Sequence, residues 1–215
     1  MRFAWTVAGD DPDWPTMKRH GITGLFAPLF DDGLTTKAYL RDFQARGYIA
    51  GLYLGHNWFP GESAVDQARR VSYEYIRLTS AKLGSPAVKD VRVMLNWEQH
   101  DPEDIALGLE EWRRLHPGVG TSWSMEGMQG GWMGTKTSPE FPDPSPFIQR
   151  VLASRIRFVP QTFHGDMRGI AQDVVLRDLI QRGVPEHVVS LFYDAAKVGD
   201  LDRWDGYAFT AGRLP

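Results

Sequence analysis

An α/β fold is predicted by the sequence, specifically a compact (β/α)8 TIM-like barrel in a single domain spanning residues 1–215. Three observations predict it. Short apolar runs rich in β-branched and aromatic residues recur eight times along the chain. Helical patterns or short connections separate them, and such alternation implies parallel strands joined by right-handed crossovers. The length of 215 residues is short for eight units, since such barrels typically run to about 250. A doubly wound open sheet is the competing architecture. It usually has fewer strands and often a Gly-rich first turn, whereas the first turn here is Ala8-Gly9-Asp10-Asp11-Pro12.

The first strand is expected at 3–7, followed by a connection at 13–20 that has room for a turn or two of helix. A second strand at 23–29 precedes a helix at 35–46, where Ala38, Phe43 and Ala45 lie among charged residues and Gly47 is the stop. After a third strand at 48–54 comes a long helix at 63–83. Val65, Ala68, Val71, Tyr75, Ile76 and Leu78 form its apolar stripe, and Gly84 ends it. The fourth strand, 91–97, leads to a helix at 102–115, opened by Asp101-Pro102 and closed by Pro117-Gly118. The fifth, 119–125, leads into a long Gly/Pro-rich, aromatic loop at 127–145, a length that usually signals function or disorder. A helix at 146–154, a strand at 156–162 and a helix at 169–182 follow. Strands at 187–193 and 207–210 complete the set. The final helix is expected to be missing or very short, leaving a flank that is exposed or covered by a partner.

Composition narrows the function classes. With 24 Lys+Arg against 27 Asp+Glu and a net charge of -3, no basic footprint for nucleic acid or an anionic membrane is present. No apolar run approaches the length that spans a bilayer, and the first residues lack the apolar region of a secretory signal. The absence of cysteine removes disulfides, thiolate metal sites and Cys nucleophiles. Aromatic residues are plentiful, with 8 Trp, 7 Tyr and 11 Phe, enough to furnish flat apolar surfaces as well as a core.

Barrel active sites form at the C-terminal strand ends. On the fourth strand, alternation puts Met94, Asn96 and Glu98 on one side and Val93, Leu95 and Trp97 on the other. A polar pair ending an apolar strand favours an inward, solvated position, because burying it without partners is costly; a solvated strand end is the plainer alternative. The remaining strand ends contribute Trp5, Tyr53, Trp58, Trp123, Gln161, Tyr193 and Asp194. Carboxylates ringed by Trp and Tyr suit a sugar, whose apolar face packs on aromatic rings and whose glycosidic oxygen an acid can protonate. Aromatic residues at strand ends also simply cap cores, so the convergence carries the reading. His164-Gly165-Asp166 and His100-Asp101 lack a third ligand at telling spacing, so no metal is expected. No Gly-x-Ser-x-Gly elbow or dinucleotide fingerprint is present, and no cofactor is implied. Asp10, Asp11 and Asp13 read as turn and cap residues around Pro12 and Pro15.

The first hundred residues resemble the Chalaropsis-type lysozyme-like glycoside hydrolases, barrel muramidases of fungi, bacteria and phage lysins. The resemblance runs through Asp13-Trp14, Met17-Lys18, Gly21-Ile22, Tyr39-Leu40-Arg41-Asp42-Phe43, Ala45-Arg46-Gly47 and Gly51-Leu52-Tyr53. It continues through Ser63-Ala64-Val65-Asp66-Gln67-Ala68 to Leu95-Asn96-Trp97-Glu98. It implies Glu98 as general acid. The companion Asp of that motif falls on Asn96, which cannot ionise, and the strand-one Asp falls near Ala4 or Trp5. Asp194 is the candidate for a late-strand carboxylate.

Two functions follow as expectations. The first is a structural or glycan-recognising module of a larger assembly, such as a phage tail tip, with a degraded glycosidase site. Its partners would be polysaccharide or peptidoglycan and other subunits of a virion or cell-surface assembly, without nucleic acid or membrane insertion. Its place would be the virion or an extracellular surface. The second is an active glycoside hydrolase with Glu98 as proton donor, Asn96 as substrate orienter and Asp194 as charge stabiliser. Trp5, Tyr53, Trp58 and Trp123 would be its sugar platforms, with Gln161 and Tyr193 as further binding residues.

Overall fold

A computed structural model describes residues 2–5, 12–27, 33–54, 59–81, 85–97, 102–125, 145–160, 180–181, 183–185 and 191–194. Among them the strands are β1 (Arg2–Trp5), β2 (Gly24–Ala27), β3 (Ile49–Leu54), β4 (Arg92–Asn96), β5 (Thr121–Met125), β6 (Arg157–Pro160) and β7 (Leu191–Asp194). The helices are α1 (Trp14–Arg19), α2 (Leu34–Ala45), α3 (Ala64–Thr79), α4 (Pro102–Leu115) and α5 (Ser145–Ala153). All seven strands form one parallel sheet in the order β6-β5-β4-β3-β2-β1-β7.

That sheet is curled. In a flat sheet, six spacings of about 4.8 Å would hold its two edges about 29 Å apart. Instead, β6 and β7 have Cα atoms within 8 Å of one another. The fold is therefore α/β with a partial (β/α) barrel. The position beside β1, which an eight-stranded barrel gives to its last strand, is held by β7. The strand expected at 207–210 lies outside the described residues. So does the helix expected at 169–182, apart from Ile180 and Gln181, which are helical.

Register sorts the sheet into two faces. Ala4, Leu25, Ala50, Leu52, Val93, Leu95, Trp123 and Phe158 occupy the outer one. They are buried against Met17, Leu40, Phe43, Ala68, Val71, Leu109, Trp112 and Val151 of the helices. The inner face holds a second, smaller core of Phe3, Phe26 and Met94, with Tyr53 packed beside it. Phe3 and Phe26 meet edge to face at 5.2 Å. Each ring lies over a glycine of the next strand. A Cβ on Gly24 would stand 2.7 Å from the Phe3 ring, and one on Gly51 would stand 2.3 Å from the Phe26 ring.

Local chemistry fixes the helix ends. Asp13 caps α1 by accepting from Thr16 N at 3.1 Å, and this bond lowers the Asp13 pKa. Ser63 caps α3 in the same way, accepting from Asp66 N at 3.1 Å. At the end of α2, Gly47 adopts φ +83°. Gly47 N donates to the Gln44 carbonyl at 3.0 Å and Tyr48 N to that of Phe43 at 2.9 Å, a Schellman closure. The third helix ends at Thr79, earlier than the expected stop at Gly84. There the Thr79 hydroxyl bonds back to the Tyr75 carbonyl at 2.7 Å, and the buried Lys37 ammonium takes the Ser80 carbonyl at 2.6 Å.

Polar side chains then tie the layers together. Asp104 of α4 accepts from the Ala64 amide that opens α3, at 2.9 Å. Gly108 lets the two helices touch, since a Cβ there would fall 2.7 Å from that of Ala64. Arg113 donates to the carbonyls of Ser154 at 2.8 Å, Val119 at 3.0 Å, Arg155 at 3.0 Å and Pro117 at 3.1 Å. One guanidinium thus gathers the end of α4, the approach to β5 and the turn after α5. Arg41 and Gln44 of α2 likewise hold the segment before β4 through Ser85, Pro86 and Lys89.

Two predictions follow from this packing. Gly51→Ala should destabilise the chain by about 1–3 kcal/mol in chemical denaturation, because the new methyl meets an immobile ring; shrinking that ring with Phe26→Leu should recover part of the loss. His116 sits against Tyr75 and Trp112 with Nε2 2.8 Å from Ser72 Oγ, and burial lowers its pKa from 6.5. The unfolded chain then binds this proton more readily, so the contribution is intact above pH 6.5 and is lost as pH falls below it. Melting temperature against pH should show that acid-side decline in the native chain and a flatter one in His116→Gln.

Candidate functional site

The strand ends that lead into α2, α3, α4 and α5 form one rim of the curled sheet. Below the rim, Phe3, Phe26 and Met94 are each fully buried on the inner face.

Register decides which expected residues face that mouth. Met94 and Asn96 share the inner face of β4, as strand alternation predicts. Asn96 is buried to 8% exposure at the strand end and pairs in register with Ser124. Tyr53, half-buried, pairs with Met94 and lies on the same face. Trp5 and Asp194 are direct register partners on β1 and β7. They alternate with Phe3 and Phe192, which places them on the inner face too. Thus Trp5, Tyr53, Asn96 and Asp194 share one face at one end of the sheet.

Two other expectations are corrected. Trp123 pairs with Leu95 and Phe158 on the outer face and is 1% exposed. Its Nε1 donates to the Trp97 carbonyl at 3.2 Å, and its ring meets Phe158 at 6.1 Å. It is a core residue beneath the helices and cannot receive a sugar there. Tyr193 pairs with Ala4, so its position also belongs to the outer face, opposite that of Asp194. The physical reason is the same for both: neighbouring residues on a strand alternate faces. Strand-end location alone does not distinguish the two sides.

Glu98, Trp58 and Gln161 lie outside the described residues, as do Asp10 and Asp11 and nearly all of the loop at 127–145. Asp13, by contrast, is the α1 cap that the sequence suggests.

The sequence reading passed over Arg92 and Arg157. Both stand on the inner face, at the starts of β4 and β6, through their register with Gly51 and Ser122. Burial, then the charge of Arg157, lowers the Arg92 pKa. The alternation that linked Met94 to Asn96 extends backward to Arg92 and could have found it. The inner face is therefore basic at the strand starts, aromatic in the middle, and amide and carboxylate at the strand ends.

An amide both donates and accepts hydrogen bonds, and a carboxylate accepts from hydroxyls. Combined with aromatic positions, this set suits a hydroxylated ligand with apolar ring faces. Asn96 supplies no ionisable group for acid–base work. Among the described residues, no three His, Asp or Glu side chains are grouped to hold a metal ion, and no helix is long and apolar enough to cross a membrane. Compared with known proteins, the chain matches no family model and no curated sequence.

The core assignment of Trp123 has a direct consequence. Trp123→Ala should cost about 3–5 kcal/mol of unfolding free energy, as expected for a buried indole. Trp123→Phe keeps most of the ring and loses the bond to Trp97, so about 1 kcal/mol should be lost. A near-neutral Trp123→Ala result in denaturant titration would contradict the outer-core placement.

Proposed function

We propose that this chain is a glycan-recognising barrel, with a ligand face at its strand ends and a glycosidase site reduced by the loss of carboxylates. The observation that carries the reading is the shared inner face of Trp5, Tyr53, Asn96 and Asp194. Aromatic positions suit the apolar faces of sugar rings, and the amide and carboxylate suit their hydroxyl and acetamido groups.

The resemblance to Chalaropsis-type muramidases supports cell-wall or surface polysaccharide, peptidoglycan included, as the ligand class. The same resemblance implies carboxylates where Asn96 stands and near Ala4 or Trp5. Glycoside hydrolysis ordinarily needs a pair of carboxyl groups, one to protonate the leaving oxygen and one to stabilise or attack the sugar. A buried amide on β4 supplies neither role. A recognition module within a larger assembly, such as a phage tail tip or a cell-surface structure, uses this face without turnover.

An active hydrolase is the second reading, favoured by the spacing of Asn96 and Glu98. The two stand two residues apart in sequence, the spacing that strand alternation would put on one side. An Asn can orient an acetamido group in a substrate-assisted route, which relieves the need for a second carboxylate. Glu98 would then donate the proton and Asp194 would stabilise positive charge.

Incubating the chain and its Glu98→Gln variant with purified bacterial cell walls separates the two. Recognition predicts that both proteins cosediment with the walls and that neither releases reducing ends above background. Release by the native chain that Glu98→Gln abolishes would establish the hydrolase instead. Failure to bind would defeat the glycan assignment itself.

A further inference from the structure

The end of the inner face away from the rim carries two arginines. Arg92 opens β4 and Arg157 opens β6, and both are half-buried. The strand between them is β5. Arg92 borders it at Gly120, the residue just before the strand, whose carbonyl accepts from Val93 N at 3.0 Å. The missing side chain makes room for the arginine there. A Cβ on Gly120 would stand 3.3 Å from Arg92 Cγ and 3.5 Å from its Nε. The arginine stem therefore leans off β4 onto the start of β5. Arg157 borders the same stretch from the other side, as the register partner of Ser122.

Ser122 supplies a third polar group between the two. Its pairing with Met94 puts it on the inner face, where it is only 3% exposed. Its hydroxyl has no hydrogen-bond partner among the described residues. A hydroxyl withdrawn from water and left unbonded costs free energy that a bound acceptor restores. Burial, and then the Arg157 charge, lower the Arg92 pKa on balance. The bonds that Arg92 makes thus do not offset those two costs, and an anion beside it would.

We propose that Arg92, Ser122 and Arg157 form a binding site for a phosphate group at the strand-start end of the sheet. The ligand class follows from the number and origin of the donors. One guanidinium fork already satisfies the two oxygens of a carboxylate. Two forks and a hydroxyl, arriving from three adjacent strands, match an oxyanion that presents three or more oxygens. This site lies at the opposite strand ends from Asn96 and Asp194, and it does not depend on the glycan reading.

Calorimetric titration of the whole chain with inorganic phosphate, glycerol phosphate and acetate, in chloride of matched ionic strength, tests it. The native chain should bind both phosphates saturably and acetate at least tenfold more weakly. Tighter binding of the ester marks a phosphate carried on a larger molecule, and tighter binding of the free ion marks the ion itself; either supports the site. Arg157→Gln and Arg92→Gln should each weaken phosphate about tenfold or more, and Ser122→Ala about three- to tenfold. Arg155→Gln, which removes an exposed charge two residues from Arg157, should bind phosphate like the native chain. Unfolding midpoints identify any variant that fails to fold, and Arg157→Gln and Ser122→Ala decide the matter without Arg92→Gln. No saturable phosphate binding by the native chain overturns the proposal. So does unchanged binding in Arg157→Gln and Ser122→Ala, or equal loss in Arg155→Gln, which marks a general charge effect. Acetate bound as tightly as phosphate overturns the ligand class.

Discussion

Phe3 lies across Gly24 and Phe26 across Gly51, and this interlock governs how closely the strands can curl. The interior of a small barrel has room for few side chains, so large residues on one strand need small ones on the next. Here two rings occupy the space that two glycines leave. The arrangement places those rings on the inner face below the strand ends, with Met94 and Tyr53 packed beside them. Register follows from it as well. A one-residue slip between β2 and β3 would bring the Phe26 ring against a side chain and turn the helix-facing residues inward.

The element order was legible because its signals are local. Every expected strand from the first to the seventh overlaps an observed one, and the helices at 35–46, 102–115 and 146–154 differ by a residue or so at their ends. Capping chemistry explains that agreement: Gly47 and Pro102 act through their own backbones. The end of α3 was less legible because it depends on Lys37, a residue distant in sequence that claims the Ser80 carbonyl. The stop glycine at 84 gives no hint of this. Which strand lies beside β1 was equally illegible. Period-two patterns identify strands one at a time, whereas the pairing of β1 with β7 is a non-local fact.

The candidate site divides along the same line. Asn96 lies on the inner face of β4, as alternation along a single strand implies without tertiary information, but it is buried there rather than solvated. Trp123 and Tyr193 were misplaced, because their inclusion depended on position near a strand end without regard to parity. Trp123 pairs across β5 with Leu95, an outward residue by the same alternation that placed Asn96 inward. Applying parity to every strand would have removed both residues and admitted Arg92.

The ladder between β1 and β7 has a consequence for how the protein is made. Residues 2–5 are synthesised before the other described elements, and their partners at 191–194 after all of them. Until then one edge of β1 can be hydrogen-bonded by any extended segment that reaches it. Contacts of such long sequence separation also close slowly, because chain entropy must be overcome before they form. Among the described strands, the last to be made is the one that pairs with the first, so this edge of β1 stays open until β7 follows.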